Sequence, residues 1–287
     1  KASPLLLTGL AVAFAFRAKF WNIGAEGQLL AGALTATVLG VHMGSFPAFM
    51  VLPTVIIAGF LAGGIWASIP ALLKTKLKVD DVVSTLLLNY VMIHIMGALL
   101  FGPLQQPGSS WPRSSAIIEA AQYPILVARS RFHMGILIAF AAVLIIWFIN
   151  KKTTFGYRSK AVGTNIRAAH FGGINTTSVI LWTALISGGL AGLAGGGELG
   201  ALQYRLIMHI SPGYGYSGIV IAMLGNLHPV GVLFSSLFFS VIIVGAQTMS
   251  RMTGVPTYIA EVIQGMALMV MLVFLLFTEF KIRMVRK

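Results

Sequence analysis

Two stretches of this chain, residues 27–73 and 206–250, contain no Lys, Arg, Asp or Glu. Each is long enough for two helices of ~20 residues crossing a hydrocarbon core about 30 Å thick. Single spans fit residues 82–102, 133–149, 175–195 and 257–278, and shorter apolar runs occupy 4–16 and 214–227. Charged residues are 9% of the 287, against roughly 25% in soluble domains, and the mean hydropathy is +0.89. The chain therefore reads as one transmembrane domain over residues 1–287. Its fold class is all-α, a polytopic bundle of about 8–10 helices, with the short runs as broken or re-entrant segments. Strand alternation with polar lumen positions is absent, which argues against a barrel. The chain opens on Lys1 rather than Met, and residues 4–16 read as a later helix of a bundle, so an N-terminal helix is expected to be missing.

The net charge of +13 would suggest a nucleic-acid partner in a soluble protein, but its placement points to a bilayer instead. Arg17 and Lys19 follow the first apolar run, and Lys74, Lys76 and Lys78 follow the third. Lys151, Lys152, Arg158, Lys160 and Arg167 fill the loop after the fifth, and Lys281, Arg283, Arg286 and Lys287 close the chain. With helices alternating in direction, these fourteen of the twenty basic residues fall on one side, which the positive-inside rule makes cytoplasmic. Residues 103–132 then form a long external loop, and residues 151–173 a cytoplasmic one. In the latter, Thr164 or Asn165 can cap a short helix over residues 166–171, and Gly172 or Gly173 can end it in a left-handed conformation. Such a knob suits docking into a groove of another protein; the plainer reading is an inert basic loop that fixes topology.

Polar groups within the apolar runs are the candidates for a solute path. Asn22, Glu26 and Gln28 stand at the mouth of the second run, and a carboxylate there needs a reason, since burying it costs at least ~3 kcal/mol. Helical spacing puts Asn22 and Glu26 at i, i+4 on one face. Alternatively, Glu26 braces a helix start by accepting backbone N–H groups. With Arg17 and Lys19 inside, Glu26 is expected near the inner end of its helix, unless the flanking segments form one broken helix with the motif at mid-membrane. Asn89 and Tyr90 lie in the fourth long span, where an Asn usually bonds across helices. Asp80 and Asp81 precede that span and suit its N-terminus. Glu198 follows a run of Gly and Ala that allows close helix packing. Tyr214 and Tyr216, with Tyr204, flank a Pro-Gly break; their rings can stack on a flat base or sit in the interfacial aromatic belt. Asn226 and His228 lie in "GNLHPVG", which reads more readily as a turn than as a site. The six His residues lack ligand spacing, so no metal site is assigned, and zero Cys excludes disulfides and thiolate ligands.

Four blocks carry a family resemblance: "WNIGAEGQLLAGALTA" (residues 21–36), "KVDDVVSTLLLNYV" (78–91), "GYRSKAVGTNIRAAHFGGI" (156–174) and "SPGYGYSGIVIAMLGNLHPVGV" (211–232). In this order they resemble the inner-membrane permease of bacterial ABC importers for simple sugars, nucleosides and branched-chain amino acids, with the first block most similar to the nucleoside branch. The resemblance implies a cytoplasmic ABC ATPase subunit, a second permease subunit in a homo- or heterodimer, an external solute-binding protein and a place in the bacterial inner membrane. It also maps the ATPase-coupling contact onto Gly163, Asn165, Ala168, Ala169 and Gly172. No GxxxxGK[ST] phosphate loop occurs, so ATP and Mg are expected on the partner and no cofactor in this chain. No nucleophile turn, HExxH or catalytic constellation is present, and no enzyme activity is assigned. The scarcity of charge in the membrane interior favours a neutral polar cargo. Nucleosides come first, simple sugars second. An ion-coupled secondary carrier using Glu26, Glu198 or Glu261 is the alternative of another class, although such carriers often show internal repeats and none is evident here.

Overall fold

A computed structural model of the chain describes residues 1–254 apart from 128, 129 and 131, and single positions between 258 and 273. The span read at 257–278, Glu261 and the terminal basic cluster fall largely outside the described residues. Ten α-helices are described: α1 (Ala2–Arg17), α2 (Ala25–His42), α3 (Ala48–Leu77), α4 (Asp81–Leu100), α5 (Met134–Lys152), α6 (Thr154–Thr164), α7 (Ile166–Phe171), α8 (Thr176–Glu198), α9 (Tyr214–Leu224) and α10 (Pro229–Thr253). Among them α3, α4, α5, α8 with its short π-helical extension, and α10 are long and apolar enough to cross a membrane.

Helix α1 forms the axis of the bundle. It is apolar on every side and buried from Ser3 to Phe16, as expected of a helix surrounded by others. It packs on α5, α8, α9 and α10, while α8 also packs on α2 and α3. The α2–α3–α8 seam is made by small residues. A Cβ at Gly195 would overlap the Leu29 carbonyl oxygen, and one at Gly32 would overlap the backbone of Gly192. Backbones this close gain dispersion contact that larger side chains would prevent. Outward faces are apolar and exposed, for example Ile57, Leu61 and Ile65 on α3 and Leu144, Ile145 and Phe148 on α5. In a bilayer such a face is solvated by lipid tails.

Three of the basic clusters, those at residues 17–19, 74–78 and 151–167, meet at one end. Lys74 Nζ donates to the Lys19 carbonyl, and Arg17 donates to the Asn150 carbonyl at the end of α5. Gly163 packs against the Arg17 carbonyl, where any side chain would collide. The long loop over residues 103–132 closes the other end. Its backbone pairs with the α8–α9 connection at Ser114–Leu206, Ile117–Tyr204 and Tyr123–Gly200, and with the top of α2 at Ile118–Gly40. Ile117, Ala121 and Tyr123 are buried there.

Helix α9 has 11 residues, about 17 Å, too short to span. It is reached through an irregular segment containing Tyr204 and Gly213 at positive φ, and it starts within the bundle, where the Thr8 hydroxyl donates to the Tyr214 carbonyl. That is a broken helix, tolerated at membrane depth because protein surrounds it.

Candidate functional site

The turn between α1 and α2 brings the opening polar residues to the middle of the bundle. The Trp21 N–H donates to Asp81 Oδ2 at 2.6 Å, and Lys74 Nζ donates to the same oxygen at 2.6 Å. This ion pair anchors the turn to α3 and α4. Asp80 caps α4 through the Val83 N–H. Asn22 then lies in the turn, since α2 begins only at Ala25. Its carboxamide pairs reciprocally with Gln28: Asn22 Nδ2 donates to Gln28 Oε1 at 2.8 Å, and Gln28 Nε2 donates to Asn22 Oδ1 at 2.7 Å. Asn22 also donates to Ser187 Oγ and accepts from the Gly24 N–H. Ser187 is the middle residue of α8, and its hydroxyl donates to the Ala11 carbonyl of α1. The motif is therefore at mid-height of the bundle, not at the inner end of a span, because the chain turns back at Lys19 and runs through residues 20–24 as a tight irregular segment before α2 starts.

Asn22 and Glu26 do not share a helical face. Glu26, buried, turns toward α9 and accepts the Gly215 N–H at 2.7 Å, with the Ser211 hydroxyl and the Gly213 N–H also directed at it. A carboxylate among three donors at a helix start has its charge solvated by the protein. The bracing role read for Glu26 is thus exercised on a helix 189 residues away. From the other side Asn89 Oδ1 accepts the Gly27 N–H at 2.8 Å, while its Nδ2 donates to the Ile23 carbonyl at 3.0 Å and to the Tyr216 hydroxyl at 3.3 Å. One Asn of α4 thereby holds the first turn of α2 and fixes a Tyr of α9.

Among the tyrosines, Tyr214 is enclosed. Its hydroxyl bonds to Lys1 Nζ, which pairs with Glu198 Oε1 at 2.9 Å. Glu198 is buried, and among the described residues its Oε2 has no hydrogen-bond partner. The ring of Tyr216 remains 37% exposed beside Asn89. Glu26, Asn89, Tyr214 and Tyr216 thus form one cluster where α2, α4 and α9 meet, and Glu198 joins it through Tyr214 and Lys1. Asn22 and Gln28 adjoin it, but Asn22 spends its hydrogen bonds on protein partners. Two candidates lie apart. Tyr90 points outward from α4, 54% exposed, because a one-residue step on a helix turns it away from buried Asn89. Asn226 is exposed in the Gly225–His228 turn with φ of 51°, held by the geometry of a tight connection to α10. Sequence reasoning missed Lys1, Thr8, Ser187 and Ser211, which carry no local signal, and missed Lys74 as the partner of Asp81.

The segment over residues 151–173 forms the short helix expected of it. Asn165 caps α7 by accepting the Arg167 and Ala168 N–H groups at 3.0 and 3.1 Å, and Gly173 takes φ of 79° after the helix. The five residues assigned to coupling divide. Asn165, Ala168 and Gly172 face solvent, whereas Gly163 is pressed on Arg17 and Ala169 is buried. A six-residue helix packed on the bundle must bury one side, and Ala169 is on it. Phe171, 95% exposed, stands at the tip.

A bundle of apolar helices that includes a broken helix, with buried polar groups at its break and a capped helix on its basic face, is the architecture of a membrane transport subunit. The chain belongs to the family described as the permease component of the branched-chain amino acid transport system, whose family model matches residues 1–272. It is 37% identical to the glucose ABC transporter permease protein of Haloferax volcanii, over 98% of this chain and 75% of that one. It is 36% identical to a guanosine ABC transporter permease protein of Bacillus subtilis, over 91% and 76%. With a nucleoside ABC transporter permease protein of Lactococcus lactis the identity is 31%, over 91% and 74%. No solved structure matches the chain. The protein is an ABC transporter permease subunit, a multi-pass transport component of the cell inner membrane that belongs with ATPase and binding-protein partners.

Proposed function

We propose that this permease forms the transmembrane path of a nucleoside importer. The observation that carries this reading is the Tyr216 ring, held open to solvent by its hydroxyl bond to Asn89 beside the Glu26-braced start of α9. A fixed aromatic face next to amide and hydroxyl groups suits a purine or pyrimidine base stacked and hydrogen-bonded at its edge. Similarity to guanosine and nucleoside permeases supports the same cargo.

In this reading ATP and Mg bind a cytoplasmic ATPase subunit, which pushes on Asn165, Ala168 and Gly172, and an external solute-binding protein delivers cargo to the loop over residues 103–132. A second permease subunit, identical or related, completes the path. The second cargo, a simple sugar, is supported by the 37% identity to a glucose permease. Uptake by the reconstituted complex decides between them: vanadate-sensitive accumulation of guanosine or uridine without accumulation of glucose is expected. Glucose uptake alone transfers the assignment to sugars. Uptake that collapses with the ion gradient and persists without the ATPase overturns the importer reading itself.

A further inference from the structure

A groove of about 670 Å³ runs between the cytoplasmic halves of α3 and α8. Its lining changes character along its length. Lys76, Thr177 and Ser178 stand at the cytoplasmic end, and Leu72, Trp182 and Leu185 line it deeper in the bundle. Ser68, the polar residue at the deep end, already donates its hydroxyl to the Gly64 carbonyl at 2.8 Å. Lys76 differs from its neighbour Lys74, which is bound to Asp81 and to the Lys19 carbonyl. Among the described residues Lys76 has no ion pair, and the Trp182 ring is 55% exposed. A cation and two hydroxyls at the headgroup level above an apolar slot match a molecule with a charged head and a hydrocarbon tail.

We propose that this groove binds one anionic phospholipid of the inner leaflet, its phosphate on Lys76, Thr177 and Ser178 and an acyl chain along Leu72, Trp182 and Leu185. Charge complementarity selects the ligand. The cytoplasmic leaflet carries the anionic lipids, and basic pockets between helices on that side take their head groups.

The test uses the complete transporter in nanodiscs containing phosphatidylglycerol or phosphatidylcholine with dibrominated acyl chains, which quench indole fluorescence on contact. The Trp182 signal is the difference between the protein and its Trp182→Phe variant. Quenching of Trp182 at least twofold stronger by the brominated phosphatidylglycerol is expected at equal mole fraction. That preference should disappear in Lys76→Gln and survive in Lys76→Arg. Equal quenching by both lipids, or a preference that persists in Lys76→Gln, overturns the proposal. Absence of quenching by either lipid also overturns it, since a protein surface such as the second permease subunit then covers the groove.

Discussion

The reciprocal Asn22–Gln28 pair makes a prediction that separates a structural role from a cargo-binding one. Asn22→Ala removes the partner of both polar atoms of Gln28, of the Gly24 N–H and of one Ser187 bond. Each buried polar group left unsatisfied costs about 1–3 kcal/mol in water-soluble cores, and interhelical bonds in membranes are worth roughly 0.6 to 1.7 kcal/mol. With two side-chain atoms of Gln28 orphaned at its near-zero exposure, a loss of about 2–4 kcal/mol is expected. Gln28→Ala should cost less, about 1–2 kcal/mol, because Asn22 keeps Ser187 and the Gly24 N–H. In the double variant nothing of the pair is left to be orphaned, so its cost should fall below the sum by about 1–2 kcal/mol. The assay is reversible unfolding of the purified chain in mixed micelles as SDS is raised, one curve for each corner of the cycle. Residual uptake in the Gln28→Ala transporter should keep its KM. Additive costs within 0.3–0.5 kcal/mol, the range for independent sites, or a tenfold rise in KM, would refute the argument that these amides serve packing.

Other consequences are as direct. Gly195→Ala places a methyl on the Leu29 carbonyl and forces α2 from α8, so thermal stability should fall by an amount corresponding to about 1–3 kcal/mol. Ala168→Glu, on the exposed side of α7, should leave the protein folded while ATP hydrolysis continues without uptake; normal transport would exclude a coupling contact at that position. Ala169→Glu buries a charge and should abolish accumulation of folded protein, seen by size-exclusion of the extracted chain. His133 caps the start of α5, its Nδ1 accepting the Gly135 N–H at 3.1 Å, and burial pushes its imidazole below the ordinary His range. Its neutral form is the one the fold selects, so its stabilisation is complete above the unfolded value of about 6.5 and is lost as pH falls through the lower folded value. His133→Asn keeps a cap acceptor and should flatten the dependence of Tm on pH between about 6.5 and that lower value.

What the amino-acid sequence determined by itself was whatever depends on local pattern and on the solvent each segment must meet. The charge-free runs set the spans, because a helix satisfies its own backbone in hydrocarbon, and the basic residues they separate do converge, with Arg17, Lys19, Lys74 and Gly163 together at one end. The 166–171 helix was legible to the residue and its cap to one of two neighbours, Thr164 or Asn165, of which the structure uses Asn165, since capping is an interaction over two or three positions. Tertiary structure alone decided the rest. Whether Asn22 shares a face with Glu26 depends on where α2 begins, and that is governed by Asp81, Thr85 and Asn89 on α4, each 60 or 62 residues from the group it holds. Glu26 at the start of α9, Lys1 on Glu198 and the burial of Gly163 and Ala169 likewise arise from helices that meet only after packing. A polar residue in a membrane bundle is defined by the partner that satisfies it, and that partner is chosen by packing rather than by neighbours along the chain.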